Sequence, residues 1–417
     1  MQQDTLFTNA RIIDGNGGTP IERGWLAISG GRIAGLGSDP APNVAPGARV
    51  IDATGKTIMP GLFDCHVHPG NLHEDVREVP KLRPAVYVHE VTRILENDVR
   101  LGFTTLRDAA GLDAGFRDAV NLGLIKGPRL YLCISPLSQT GGHGDKRPAY
   151  VDHHIPRNSL GVYPAICDSP DAMRKASREA LRKGANHIKV MADGGVTSPS
   201  GGPGASQLSV PEIKAAVEVA ENAGTYVMAH VYTPRAVSVC LDAGVRSIDH
   251  ATLIDREICD RMAATGAYLV PTLVVFEILS ERRDEFNLPR NYFEKLDIVR
   301  EGGMRALEWA HKAGVRIASG SDLIGPLRYQ AYKGRELALQ AKVMGAMGAI
   351  VAATKTSAEL MMVDNDLGTL EPGKLADVIM LDGNPLEDLA IFEPDSGRVL
   401  LTMIGGNILW EKKATGA

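Results

Sequence analysis

From about residue 58 to residue 365 the chain alternates between two textures. Short runs of apolar, often β-branched residues are followed by longer stretches whose apolar positions recur at helical spacing. Such runs read as strands buried on both faces, and the stretches between them as amphipathic helices. Eight runs qualify: Ile58–His66, Thr104–Arg107, Arg129–Ile134, His187–Met191, Tyr226–Val231, Ser247–His250, Tyr268–Thr272 and Arg316–Ser319. The clearest intervening helix is Ser209–Ala223. It opens Ser-Val-Pro-Glu, which supplies an N-cap, a proline in the first turn and a glutamate at the third helical position. Strand–helix alternation makes a parallel sheet, and eight such units close a (β/α)8 barrel.

The two ends lack this alternation. Residues 1–57 and 366–417 carry short strand-like runs broken by glycine turns, such as Asp14-Gly15-Asn16-Gly17-Gly18 and Gly405-Gly406-Asn407. The expected fold class is α/β: a distorted TIM-type barrel over residues 58–365, with a small β-sandwich domain built from 1–57 and 366–417. Two long glycine-rich loops follow barrel strands, at the end where active sites of such folds sit. Pro136–Pro164 holds Gly141-Gly142-His143 and His153-His154; Asp193–Gln207 holds Gly194-Gly195 and Gly201-Gly202. Such loops are either lids or plain connections. No Lys-Ser/Thr pair follows the glycines near 201–204, which argues against a phosphate loop.

Bulk properties narrow the partners. A net charge of −5 over 417 residues, with 44% hydrophobic residues, is that of a globular protein and implies neither nucleic acid nor an anionic membrane as partner. Five scattered cysteines fit neither a disulfide framework nor a zinc ribbon. The start, MQQDTLFTNARIIDG, lacks the basic and apolar blocks of a secretion signal, and no run reads as a membrane span. A cytoplasmic location is the expectation.

The chemistry-bearing residues gather at predicted strand ends. His66 and His68 are two apart and share one face of a strand, a pair suited to a borderline metal such as zinc. Lys189 stands inside the apolar run His187-Ile188-Lys189-Val190-Met191, where burial disfavours the ammonium form and a neutral amine can take up carbon dioxide. His230 and His250 each end a strand, and Asp322 directly follows the last one. Singly each has a plainer use: core histidines, a lysine at a strand end, an aspartate N-cap. Together, on the first, fourth, fifth, sixth and eighth strands, they point to metal-assisted hydrolysis.

With these residues in order, the chain resembles the amidohydrolase superfamily in its imidazolonepropionase-like branch, near Xaa-Pro dipeptidases (prolidases) and ochratoxin-type amide hydrolases. The matching segments are Pro60–His68, His187–Met191, Ala229-His230, Asp249-His250, Gly320-Ser321-Asp322 and Leu367–Asp377. The resemblance implies a centre of two divalent ions, zinc by expectation. His66, His68 and Asp322 would hold one ion, His230 and His250 the other, and Lys189 carboxylated by CO2 would bridge them with a shared hydroxide. Asp322 would shuttle the proton. It further implies His143 as a group polarising the substrate carbonyl, and homo-oligomeric assembly.

Substrate recognition is less constrained. Tyr232 shares a strand face with His230 and could meet a substrate carboxylate; it could also be a tyrosine packed at the rim. Arg328, six residues after Asp322, could clamp a carboxylate bidentately or lie on the surface. The expected substrate is a small dipeptide of Xaa-Pro type or an N-acyl amino acid with a free carboxylate, ochratoxin-like compounds included. The alternatives are a cyclic amide or imidazolone hydrolase, a carbamate or phenylurea hydrolase, and a non-catalytic binding protein on the same fold.

Overall fold

The computed structural model describes residues 3–43, 46–73, 75, 77–147, 150–151, 163–198, 201–286 and 290–413; His153 and His154 lie outside the described residues. Its centre is a parallel barrel. The strands are Leu62–Val67, Phe103–Asp108, Arg129–Leu132, Ile188–Met191, Val227–Val231, Ser247–His250, Tyr268–Val270 and Arg316–Ile317, referred to below as the first to eighth barrel strands. All eight predicted runs are strands here, most of them shorter than predicted.

The ladder is not uniform, and this is the distortion. The first three strands pair among themselves, and the last five form a second run. Near Ile134, at φ 63, the chain leaves the third strand and re-pairs as Leu137-Ser138 with Val190 of the fourth. The eighth strand meets the first through Cys65 N donating to Ser319 O at 2.8 Å and Asp322 N donating to His66 O at 2.7 Å. That closure lies at the C-terminal end, and it joins Asp322 directly to the strand bearing the histidine pair.

The predicted strand Ile58–His66 is two strands. Thr57–Pro60 pairs antiparallel with Val378–Leu381 in the terminal sheet, and only Leu62–Val67 enters the barrel. Gly61 makes the transition. A β-carbon there would lie 2.2 Å from the Thr104 side chain, so only glycine lets the chain pass from one sheet to the other.

Both termini contribute to one eight-stranded sheet. Its strand Thr5–Ile12 divides its partners: residues 5–8 pair with Arg49–Asp52 and residues 11–12 with Thr57 and Ile58. That branching lets the sheet fold over a core of Phe7, Ile12, Leu26, Ile58, Val378 and Leu401. Helices cover the barrel as the period predicted. Val210–Asn222 begins in the expected capping box, with Glu212 accepting from Ser209 N at 2.9 Å.

One expectation needs correction. Leu327–Leu360 is a helical run apolar and long enough, by composition alone, to cross a membrane. It is interrupted at Gly345 (φ 71, ψ 166) and packs against the helices Leu273–Glu281 and Arg290–Lys312. Core contacts therefore account for its apolar character.

Candidate active site

Each predicted metal ligand projects from the C-terminal end of a barrel strand, and each is oriented by a neighbour. His66, fully buried, shares its Nδ1 with Asp249 Oδ2 at 2.7 Å. His68 Nδ1 lies 2.8 Å from Ala110 O, a partner that can only accept, so Nδ1 carries a proton and Nε2 is the nitrogen whose lone pair can meet a cation. The two Nε2 atoms face Asp322 Oδ1 at 3.4 and 3.1 Å. Ligand atoms of His66, His68 and Asp322 all lie within 4.8 Å of one another, close enough to share one cation.

The other three donors complete the same cavity. His250 bonds Thr272 Oγ1 through Nδ1 at 2.7 Å and lies 3.8 Å from Asp322 Oδ2. Its ring centroid is 4.8 Å from that of His66 and 4.7 Å from that of His230. Lys189 Nζ and His230 Nε2 are buried without a hydrogen-bond partner. Two orphaned donors beside a His–His–Asp cluster fit a group that ligates them, since buried polar atoms are otherwise satisfied.

The electrostatics agree with a donor set. Burial, then the Lys189 charge, pushes His66 and His230 well below the ordinary imidazole range. Burial also lowers His250 and the Lys189 ammonium. Neutral imidazoles and a neutral amine are the forms that coordinate a cation or accept carbon dioxide. His68 is the exception: burial lowers it, but its bond to Asp322 and that charge outweigh the burial and raise it.

Backbone strain is concentrated at the site. His250 (φ 75), Ala251 (φ 49), Thr272 (φ 50) and Asp322 (φ 55) all take left-handed conformations without being glycine. Such residues persist where the surroundings over-determine them. Here the strand ends turn sharply enough to aim His250 and Asp322 inward.

Of the residues expected to handle substrate, two line the cavity and one does not. His143 stacks on His230 at 4.1 Å between centroids, 4° from parallel, with Nδ1 2.8 Å from Ser198 Oγ. Gly195 makes that stack possible, because a β-carbon there would lie 2.4 Å from His143 Cε1. Tyr232 is buried against His250, with centroids 5.3 Å apart. Arg328 is exposed, its guanidinium 4.5 Å above the Tyr329 ring, and it is not part of the cavity wall. The helix Leu327–Gln330 turns it outward.

Several supporting residues escaped sequence reading. Arg107, in the second strand, reaches across the barrel interior to Asp249 Oδ2 at 3.0 Å and to Ser247 Oγ at 3.1 Å. Asp64 gathers Ser321 Oγ at 2.5 Å, Ser321 N at 2.9 Å and His66 N at 3.2 Å, which ties the eighth strand's end to the first. The only signal in the sequence was a charged residue inside an apolar strand. Among the described residues of the two glycine-rich loops, Asp193 bridges Ser206, and Gln207 Oε1 accepts from His143 N at 2.8 Å. On the far side Tyr292 and Lys295 donate to the carbonyls of Thr197, Ser198 and Gly201. Lys146, on the first loop, also lines the cavity.

The cavity holds about 220 Å³. Val275, Phe276, Leu279, Val196 and Ile166 supply apolar parts of its wall. A parallel barrel carrying histidine, lysine and aspartate at its C-terminal mouth, beside such a pocket, is the arrangement of a barrel enzyme with a candidate metal site. The amidohydrolase family model matches residues 57–409. The chain belongs to that family and is a hydrolytic enzyme acting on amide C–N bonds. Its relatives include the ochratoxinase of Aspergillus niger, 33% identical over 406 residues, spanning 93% of this chain and 83% of the relative. The solved structure of that ochratoxinase superposes with a TM-score of 0.86 at 31% identity, covering 99% of this chain and 96% of the other. A prolidase solved with N-methylphosphonate-L-proline superposes with a TM-score of 0.93 at 36% identity, covering 98% and 100%. The family generally uses divalent metals, and the His66–His68–Asp322 cluster is a candidate site for one.

Proposed function

We propose that the protein is a binuclear metal-dependent amide hydrolase acting on Xaa-Pro-type dipeptides or N-acyl amino acids that carry a free carboxylate. The observation that carries this reading is the convergence of His66, His68, Lys189, His230, His250 and Asp322 on one cavity. The prolidase and ochratoxinase likenesses support the substrate class. His66, His68 and Asp322 would hold one ion, His230 and His250 a second, and Lys189, carboxylated, would join the two. Zinc suits this nitrogen and oxygen donor set. When bound, the ions supply an activated water and polarise the scissile carbonyl.

The chain's own groups do the rest. Asp322 Oδ1 faces the His66–His68 pair, which leaves Oδ2 to take a proton from the attacking water and pass it to the leaving nitrogen. Ser198 Oγ accepts from Gly195 N at 2.7 Å and lies 2.8 Å from His143 Nδ1. In the tautomer in which Ser198 donates to Nδ1, the His143 proton sits on Nε2 and donates to the substrate carbonyl oxygen. Burial holds this imidazole well below its ordinary range, so it stays neutral in that role. Phe276 and its apolar neighbours exclude water and receive the substrate's side chain.

The deciding experiment screens Xaa-Pro dipeptides and N-acyl amino acids against their methyl esters. Hydrolysis confined to the free acids is expected; equal turnover of acid and ester would overturn the substrate class. Metal analysis tests the centre. Purified protein should hold about two equivalents of divalent metal, and Lys189→Ala should lose at least one together with most activity.

A further inference from the structure

Among the described residues four cationic side chains line the cavity: Arg77, Lys146, Arg147 and Lys189. Three are accounted for. Arg77 pairs with Asp75 through Nη2 to Oδ2 at 2.6 Å, Arg147 pairs with Asp145 at 2.6 Å, and Lys189 belongs to the ligand cluster. Lys146 is different. Its Nζ donates to Thr197 O at 3.2 Å and Thr197 Oγ1 at 3.3 Å, both neutral acceptors. Among the described residues no carboxylate lies within ion-pair distance of it.

A cation withdrawn from bulk water without an anion is costly, and the cost falls when an anion arrives. Burial accordingly holds the Lys146 ammonium down, to about 7, with Asp75 raising it and Arg77 and Lys295 lowering it further. Two of its three N–H groups are engaged on Thr197, which sets the position of Nζ and leaves one donor unused. Arg328, the arginine that sequence spacing had offered for this task, faces solvent. The remaining cavity wall is apolar on the side of Val275, Phe276 and Leu279.

We propose that Lys146 receives the free carboxylate of the substrate and so sets the enzyme's preference for acidic amides over neutral ones. The proposal rests on the amide-hydrolase reading above and names the group that enforces its carboxylate requirement. The ligand it selects is amphiphilic, with a carboxylate at Lys146 and an apolar or aromatic side chain against Phe276 and Leu279. In role Lys146 is a specificity residue: it touches substrate and takes no part in bond breaking.

The test is binding, measured by calorimetry on the full-length, metal-loaded protein with 3-phenylpropanoate and its neutral amide, 3-phenylpropanamide. Lys146→Gln keeps a donor for Thr197 and removes the charge; Lys146→Arg keeps the charge. Variants are compared at equal metal content, because metal ions also attract carboxylates. Lys146→Gln should weaken the acid about 10- to 100-fold, the range of a charge-assisted hydrogen bond, and leave the amide within about twofold. Lys146→Arg should retain the preference for the acid. Equal weakening of acid and amide would mark Lys146 as loop scaffolding and overturn the proposal. So would an unchanged acid affinity, a wild type that binds acid and amide alike, or loss of the preference in Lys146→Arg. A wild type that selects the acid through Lys146 yet hydrolyses no dipeptide or N-acyl amino acid would instead overturn the amide-hydrolase reading and leave the carboxylate site standing.

Discussion

The smallest residue at the site is among the most constrained. Gly195 has ordinary backbone angles, so its constraint is space: a methyl group would press on His143 at 2.4 Å and approach His230 Nε2 at 3.1 Å. Gly195→Ala should therefore unstack the His143–His230 pair. The expected outcome is a fall in kcat of at least about tenfold with a partial loss of bound metal, read by steady-state kinetics and metal analysis. Full retention of both would show that the stack is dispensable. Tyr232 makes a sharper distinction. Its phenol is buried beside His250, and Tyr232→Phe should raise KM for carboxylate substrates while metal content holds; an unchanged KM would refute a role in substrate binding. Tyr232 and His143, which the sequence offered for substrate handling, both line the cavity. The sequence could not place Arg328, whose direction depends on a short helix, or Lys146, whose significance lies in what is absent around its ammonium.

At the scale of elements, the site borrows from the helices behind it. Thr272 stands at the N-cap of Leu273–Glu281, but its hydroxyl is engaged by His250 Nδ1 at 2.7 Å and makes no cap bond. Glu336, from the helix Arg335–Val351, supplies the missing acceptor by taking Val274 N at 2.8 Å, and Gln340 Nε2 donates to it at 3.0 Å. Burial pushes the Glu336 carboxyl up to about 7 against the pull of those bonds. A carboxyl raised in the folded state contributes stability that is fully present below its unfolded value, near 4.5, and is lost as pH rises through about 7. Glu336→Gln removes that dependence. Its melting temperature relative to wild type should therefore improve between about pH 5 and pH 8, measured by thermal denaturation at each pH. A constant difference would contradict the raised carboxyl. No feature of local sequence indicates this cap, since Thr272 and Glu336 are brought together only by packing.

The whole molecule depends on the join between barrel and terminal sheet. Asp377, nearly buried, takes both Nε and Nη2 of Arg129 at 3.1 Å and also accepts from Gly405 N at 2.7 Å. Arg129 starts the third barrel strand, whereas Asp377 and Gly405 belong to the C-terminal segment. Asp377→Ala should destabilise the protein by about 2–3 kcal/mol, the range for hydrogen bonds to a charged group, in denaturant unfolding. A second, earlier transition would show the terminal sheet coming away from the barrel. The sequence by itself determined the alternation of strand and helix, the distinct texture of the two ends and the histidine, lysine and aspartate side chains that meet at the cavity. These are properties of period and residue type, which a linear chain displays. It misjudged where the terminal sheet ends, because Thr57–Pro60 and Leu62–Val67 form one apolar run divided only by a glycine whose need is set by Thr104 across the barrel. Tertiary structure alone decided which partners orient His66, that Arg107 and Asp64 brace the centre, and that Lys146 faces the cavity while Arg328 faces solvent. Each of those facts is a distance between residues far apart in the chain, and only the closed barrel sets such distances.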